Sequence, residues 1–138
     1  MTIELVPLCT LTAELKDPFA IGATPAGTRM IFEVASAKLE GDRLSGQMKG
    51  SALADWFTIG PDSTGTVDVR GLMETHDGAL VYIQYQGRTD LSAGQGPIYI
   101  APRFETGDPR YAWLNRVQAV GKGELTGQTL VYEIYEVV

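Results

Sequence analysis

Apolar and polar residues alternate along most of this chain, and this period of two constrains the fold more than any other feature. The clearest case is GTVDVRGLMETHDGALVYIQYQG, residues 65–87, where two alternating runs flank an Asp-Gly pair. Successive side chains of a β-strand point to opposite faces, so the alternation predicts strands. Asp-Gly is a favoured pair for a tight turn. We therefore expect a β-hairpin over this segment.

Further strand-like runs lie on both sides of the hairpin. They are TIELVPLCTLTAEL, the weakly alternating MIFEVASAKLEG, PIYIAPRF, and RVQAVGKGEL with TLVYEIYEVV as a closing hairpin. Pro7 in the first run indicates an edge, an end or a bulge. FAIGATPAGTR is expected to be a loop and SALADWF a short turn. GDPRYAWLNRV predicts one helical turn, with Pro109 at an early helical position.

The number and length of these runs predict an all-β fold. Eight to ten short strands in 138 residues indicate a single domain, residues 1–138, built as an antiparallel barrel or sandwich with short helical turns in its loops. A closed barrel is favoured because the first and last runs are both long and strand-like. Pairing them would remove the free sheet edges that invite aggregation.

Composition excludes several classes of function. The formal net charge of −6 disfavours binding to nucleic acid or anionic membranes. One cysteine and one histidine exclude an internal disulfide and a multi-histidine or cysteine-based metal site, so no metal is expected. No cofactor is expected either, since neither GxGxxG nor GxxxxGK(S/T) occurs in the chain. Cys9 is expected to be a small buried side chain and His76 a solvated turn residue. Without a basic leader or a run of about 20 apolar residues, the expected location is the cytoplasm.

The alternating runs each have one fully apolar face and one mixed face. The mixed faces carry Thr66, Asp68, Arg70 and Leu72, then Tyr82, Gln84 and Gln86, then Tyr99, Ala101, Arg103 and Glu105. Periodicity leaves two interpretations open. The mixed face lies in water around an apolar core, or it lines a barrel lumen and binds a small molecule.

Asp55, which directly precedes Trp56, is a candidate acid or base. If both side chains are buried, desolvation would raise the pKa of the carboxyl and suit it to proton transfer. The alternative is a turn or N-cap aspartate beside an anchoring tryptophan.

Two acid–arginine pairs form a second group of candidates. Asp68 and Arg70 lie two residues apart on one strand face, as do Arg103 and Glu105. Each is either a structural ion pair or an acid/base with its charge partner. An arginine fork would suit a carboxylate or enolate oxygen.

The order of motifs along the chain is more specific than any one of them. IGATPAGTRMIF, LEGDRLSGQM, ADW, TVDVRGLMETHDGALVYIQYQGR, PRFETGDPRYAWLNR, VGKGEL and VYEIYEV follow one another in this order. The chain thus resembles, over nearly its whole length, the uncharacterised family known as domain of unknown function 3237. It departs from that pattern at residues 35–37, where the family usually has a Gly-Gly pair, and at Gly71, where an aromatic residue often follows the arginine.

The resemblance implies a closed, lipocalin-like (calycin-like) antiparallel barrel and favours the mixed face as the lumen. The first functional hypothesis is a cofactor-independent acid/base enzyme, an isomerase, lyase or cyclase. It would bind a small carbonyl-containing, aromatic or polyketide-like molecule. The alternative is a non-catalytic, lipocalin-type carrier. A third possibility is a barrel filled by its own side chains.

The enzyme hypothesis assigns roles to ten residues. Asp55 or Asp68 would act as base, and Arg70 and Arg103 would hold an oxyanion or carboxylate. The substrate-binding residues would be Trp56, Tyr82, Tyr99, Glu105, Trp113 and Asn115. Exposed aromatic strands such as VYEIYEVV leave room for a homodimer.

The segment PRFETGDPRYAWLNR is expected to do two things. Its start is a strand that places Arg103 and Glu105 on the mixed face. Residues 106–115 form a long connection, and such connections in compact domains are usually functional lids or packed plugs. We expect it to cover one barrel mouth, with Trp113 and Asn115 reaching the ligand or sealing the end. The alternative is a plug that only completes the core.

Overall fold

The computed structural model describes all 138 residues, and 62% of them lie in β-strands. The strands are β1 (Leu5–Leu15), β2 (Phe19–Thr24), β3 (Gly27–Glu40), β4 (Gly46–Met48), β5 (Ala54–Ile59), β6 (Thr64–Thr75), β7 (Leu80–Asp90), β8 (Ile98–Ile100), β9 (Arg103–Glu105), β10 (Ala119–Thr126) and β11 (Thr129–Val137). A 3₁₀ helix, Pro109–Arg116, lies between β9 and β10, with Pro109 in its first turn as expected.

Eight strands close into an antiparallel barrel. Their order around the ring is β1, β3, β5, β6, β7, β8, β10 and β11, and β11 returns to β1. The first and last strands pair from Leu5 with Val137 to Glu14 with Thr129, which confirms the predicted closed barrel. Outside the ring, β2 pairs with the first half of β3, β4 bridges β3 and β6, and β9 extends along β7.

The predicted hairpin and the predicted bulge are both present. β6 and β7 pair without interruption from Thr64 with Asp90 to Glu74 with Leu80. Gly78 takes a positive φ of 91° in the turn, the left-handed conformation that favours glycine. The pairing of β1 with β11 shifts register between Pro7 and Cys9, because proline has no N–H to give to the sheet.

Three local predictions were wrong. FAIGATPAGTR is not a loop but β2 and the start of β3, and residues 54–57 of SALADWF are the start of β5 rather than a turn. β2 and β5 are both stabilised by pairing with β3, a long-range contact that local residue preferences do not report. PIYIAPRF is not one strand, since it breaks at residues 101–102 into β8 and β9. Pro102, which cannot donate to a neighbouring strand, lies at the break.

The apolar face of each strand, not the mixed one, points into the barrel. Val67, Val69, Val81 and Ile83 are each 4% exposed or less, whereas Arg70 on the opposite face is exposed. The expectation that the mixed face lines the lumen is therefore wrong, and the alternative of a solvent-facing mixed face is correct. An interior of valine and isoleucine avoids the cost of desolvating charges.

The two ends of the barrel differ. At one end, here called the closed end, the 3₁₀ helix buries Leu114 and Tyr111 in the core, with exposed fractions of 0% and 6%. The other end, here called the open end, carries the connections 60–63, 91–97 and 127–128. Leu15, Ile59 and Leu125 lie there near the strand ends and stay partly exposed. The interior is thus filled at one end and accessible at the other.

Candidate functional site

An apolar cavity of about 210 Å³ occupies the half of the barrel next to the open end. Seventeen of its twenty lining residues are hydrophobic. The three polar ones are Asp55, Thr89 and Gln95. Asp55 is the single charged residue among them, so the lumen is an apolar container with one carboxyl group in its wall.

Asp55 lies where the pairing of β5 with β6 opens. Ala54 pairs with Arg70 and Asp55 with Val69, and pairing resumes at Thr58 in the same register. Residues 56–57 and 67–68 in between are not paired. The interruption shifts no register, so strand alternation is kept and Asp55 stays on the inward face with its neighbour Phe57.

Side chains replace the interstrand hydrogen bonds at this opening. The backbone N–H of Asp68 donates to Oδ1 of Asp55 at 3.0 Å. Nη1 of Arg29 donates to the backbone carbonyl of Trp56 at 2.9 Å. Two of the backbone groups freed by the opening thus have side-chain partners, and the Asp55 carboxylate is tied to the barrel wall through one oxygen.

Burial raises the pKa of Asp55 to about 6. The hydrogen bond from the Asp68 backbone opposes this shift, and the negative charge of Asp68 on the other side of the sheet adds to it. Desolvation penalises the charged form of a carboxyl in apolar surroundings. At neutral pH Asp55 is therefore ionised in most molecules, yet it is a stronger base than a solvated aspartate.

Two tyrosines share the cavity with Asp55. Tyr85 and Tyr132 meet edge to face, with ring centroids 5.7 Å apart. Burial raises the pKa of both phenols, and the negative charge of Asp55 raises them further. Both hydroxyls therefore stay protonated at neutral pH and remain hydrogen-bond donors.

Sequence reasoning missed these two tyrosines as site residues. Tyr85 alternates with Gln84 and Gln86 along β7, so it lies on the face opposite the mixed face that was favoured as the lumen. A tyrosine among valines and isoleucines was nevertheless a usable signal, because a buried phenol hydroxyl needs a hydrogen-bond partner.

Most of the other predicted site residues lie on the outer surface of the barrel. Arg70 stacks over the ring of Trp56 outside the wall, with its guanidinium carbon 5.8 Å from the ring centroid. Tyr99 is 52% exposed beside Lys122, and Glu105 is exposed. None of these side chains lines the lumen. Successive side chains of a strand point to opposite faces, and the neighbours of these residues point inward.

Asp68 and Arg103 do come together, but outside the barrel. They line a groove of about 470 Å³ with Gln84, Gln86 and Gln118. The five ion pairs of the molecule involve neither of them. Tyr82, also expected to bind substrate, donates to Oε1 of Gln84 at 3.0 Å. The groove lined by Asp68 and Arg103 is a polar surface depression that the barrel wall separates from the lumen.

Trp113 and Asn115 belong to the closed end. Trp113 is partly buried against the core, with Arg43 over its ring at 5.3 Å. Asn115 bridges the backbone of Thr106, accepting from its N–H at 2.8 Å and donating to its carbonyl at 3.0 Å. The connection therefore seals one barrel end, and neither side chain lines the cavity.

The molecule holds no group of three or more His, Cys, Asp or Glu side chains arranged to bind a metal ion.

Cys9 is buried, and its pKa is raised to about 12 mainly by desolvation. His76 is exposed in the β6–β7 turn, and its Nδ1 lies 3.1 Å from the hydroxyl of Ser45. No helix of this structure is long and apolar enough to cross a membrane.

Comparison with known proteins places the chain in a family. The family model described as "Protein of unknown function (DUF3237)" matches residues 3–137. The chain belongs to this family. A UPF0311 protein of Rhodopseudomonas palustris is 29% identical to it over 151 residues, which cover 99% of this chain and 98% of that protein. The family resemblance read from the motifs is thereby confirmed.

Solved structures agree on the fold. A β-barrel-like protein from Acinetobacter baumannii shares 29% identity and a TM-score of 0.91, covering 100% of this chain and 98% of that one. An enzyme from Penicillium herquei shares 22% identity and a TM-score of 0.69, covering 99% of this chain and 94% of that one. At that identity the second similarity shows a common fold alone.

Proposed function

We propose that the lumen is the active site of a cofactor-independent acid/base enzyme that acts on a small organic carbonyl compound. The observation that carries this proposal is the single carboxylate, Asp55, in an otherwise apolar cavity that opens at one end of the barrel. A perturbed carboxyl in a cleft is a functional candidate on physical grounds. The fold is compatible with catalysis, since an enzyme from Penicillium herquei also has it.

In the proposed reaction Asp55 removes a proton from the carbon next to the carbonyl group. The C–H bond breaks, the proton moves to the carboxylate, and the electron pair shifts onto the carbonyl oxygen. Tyr85 or Tyr132 donates a hydrogen bond to the enolate oxygen, which lowers the barrier most in a water-poor cavity. The protonated Asp55 then returns the proton to the same carbon or to a conjugated one, so no outside reagent is needed.

These steps select among the residues predicted from sequence. Asp55 takes the role of base, while Asp68 faces the outer groove and contacts Asp55 only through its backbone. Phenol donors replace the guanidinium groups of Arg70 and Arg103. Return of the proton to a conjugated carbon would be an isomerisation. Attack of the enolate on a second group would be a cyclisation, and loss of a leaving group a lyase reaction.

The apolar lining also favours the second candidate, a non-catalytic carrier of small ligands. Seventeen hydrophobic residues around about 210 Å³ would hold an apolar molecule by its buried area alone. The two candidates differ in what Asp55 does. A carrier needs no carboxylate for binding, whereas the enzyme needs one for turnover.

Hydrogen–deuterium exchange of 2-indanone in D₂O, followed by ¹H NMR, tests the proposal directly. The ketone is uncharged, naphthalene-sized and has acidic protons next to its carbonyl. We expect the protein to accelerate exchange, and Asp55→Asn to reduce the acceleration by roughly 10²-fold or more, the usual contribution of a positioned general base. Asp68→Asn is the matched control and should retain exchange within a few-fold.

The outcomes separate the two candidates. Unchanged exchange in Asp55→Asn would remove Asp55 as the base. Binding of 2-indanone without any accelerated exchange would favour the carrier. Loss of exchange in Asp68→Asn but not in Asp55→Asn would move the chemistry to the outer groove.

A further inference from the structure

We infer that the lumen accepts uncharged ligands about the size of a substituted naphthalene and rejects anions of the same shape. This selectivity concerns the site of the proposed function, but it is a property of binding and does not require turnover. It identifies the ligand class as neutral compounds without a free carboxylate, sulfonate or phosphate.

The size limit follows from the cavity. At the packing density of protein interiors, about 0.74, a cavity of about 210 Å³ holds roughly 155 Å³ of ligand atoms. A bicyclic aromatic compound with one small substituent has about this volume. Larger molecules would have to leave part of their surface outside the open end.

The charge limit follows from what lines the cavity. Asp55 is its single charged residue, and every lysine and arginine side chain lies elsewhere. Arg29, which contacts this wall, donates to the backbone carbonyl of Trp56 and does not line the lumen. An anion entering the lumen would therefore lose its hydration without gaining a cationic partner. It would also face the Asp55 carboxylate across a few ångströms of apolar space.

The expected discrimination is large enough to measure. Two like charges about 5 Å apart at an effective dielectric constant near 20 repel each other by an amount that weakens binding roughly 100-fold or more. The overall net charge of −6 acts in the same direction, although salt screens that contribution.

The charge selectivity should depend on pH, because the groups that face Asp55 do not titrate in the range where Asp55 does. The phenols of Tyr85 and Tyr132 face it from β7 and β11, and Asp68 lies behind it on β6. From β1 and β3 the cavity receives hydrophobic side chains only. Asp55 is therefore the one group whose protonation changes the charge of the lumen between pH 5 and 8, and an anion should be tolerated better at pH 5 than at pH 8.

A lumen that rejects anions limits which reactions can supply its ligand. If the physiological ligand derives from a carboxylic acid, an earlier step must have removed, esterified or amidated the acid group. The reaction that supplies the ligand is then of the decarboxylating, condensing or acyl-transferring class. A product that leaves this site is expected to be uncharged as well.

Equilibrium dialysis with two shape-matched probes, 1-naphthalenemethanol and 1-naphthoate, tests the inference. At pH 8 we expect the wild-type protein to bind the alcohol and to bind naphthoate at least 100-fold more weakly. Asp55→Asn should reduce this ratio by roughly 100-fold, because it removes the repulsion but not the cost of dehydrating the anion. Asp62→Asn, which removes a fully exposed carboxylate from the 60–63 connection at the open end, should leave the ratio unchanged. At pH 5 the wild-type ratio should fall towards that of Asp55→Asn.

Equal binding of both probes by the wild type would overturn the inference, as would a ratio that Asp55→Asn leaves unchanged or a failure of the alcohol to bind. The indanone experiment is independent of these results. If the alcohol-to-naphthoate ratio holds but Asp55-dependent exchange is absent, the enzyme proposal fails and the charge selectivity stands. If exchange depends on Asp55 but naphthoate binds as well as the alcohol, the charge selectivity fails and the enzyme proposal stands.

Discussion

The partly buried carboxyl of Asp55 should destabilise the folded protein at neutral pH, and Asp55→Asn should therefore stabilise it. Burial raises the pKa of this group from its ordinary value near 3.8 to about 6. Because the folded state holds the proton more tightly than the unfolded state, the free energy of unfolding falls as pH rises from about 4 to about 6. A difference of about two pKa units corresponds to about 3 kcal/mol, fully expressed above pH 7.

An asparagine at position 55 keeps the side-chain oxygen that accepts the Asp68 N–H but removes the charge. We expect the variant and the wild type to be equally stable near pH 4, and the variant to be more stable by up to about 3 kcal/mol at pH 7.5. Urea denaturation at several pH values measures the difference directly.

The control is Asp62→Asn. Asp62 accepts hydrogen bonds from Thr64, which lower its pKa, so removing its charge should cost stability above pH 4, the opposite sign. A lower stability of Asp55→Asn at pH 7.5, or a difference that does not vary with pH, would refute the reasoning about burial.

Three further predictions test other parts of the barrel. Leu114→Ala should cost about 2–5 kcal/mol of unfolding free energy, because it leaves a cavity at the closed end. Leu80→Ala, at a half-exposed position, should cost well under 1 kcal/mol. Similar losses in the two variants would contradict the conclusion that the 3₁₀ helix seals the closed end. Gly71→Ala should cost about 1–3 kcal/mol, because the new methyl group would lie 2.8 Å from Cα of Leu53, and a neutral effect in the same denaturation assay would argue against this close contact. Cys9 should resist thiol reagents at pH 8 until the protein unfolds, because it is 6% exposed and its pKa is raised to about 12; rapid labelling of the native protein would show that β1 opens.

The fold could be predicted from sequence where alternation was strong. The β6–β7 hairpin and the pairing of the first and last strands follow from period-two patterns that local and global structure share. The segments that were misread, β2 and β5, have weak or short patterns and depend on β3, whose position the sequence does not state. Local propensity was outweighed there by long-range pairing.

The candidate site could be predicted only in part, because alternation groups residues into faces without saying which face lies inside. Asp55 was selected for its position next to Trp56, with burial of both as the condition. The structure places the carboxyl partly buried in the cavity wall and leaves the tryptophan 36% exposed. The expectation that the mixed face lines the lumen also selected Asp68, Arg70 and Arg103. In the structure that face lies on the outside of the barrel.

Asp55 is the exception to the pattern of apolar side chains that point into the barrel. Along β6 and β7 the inward positions are almost uniformly apolar, as the hydrophobic effect requires of a small barrel core. On β5 the same rule is broken once, at the place where pairing with β6 opens and a side chain replaces a backbone acceptor. A chain selected for stability alone would place an apolar residue there, since the carboxylate costs about 3 kcal/mol at neutral pH. Residues that break the pattern obeyed by the rest of a fold tend to be those kept for function, and in this barrel that criterion selects Asp55 and not the arginines of the outer face.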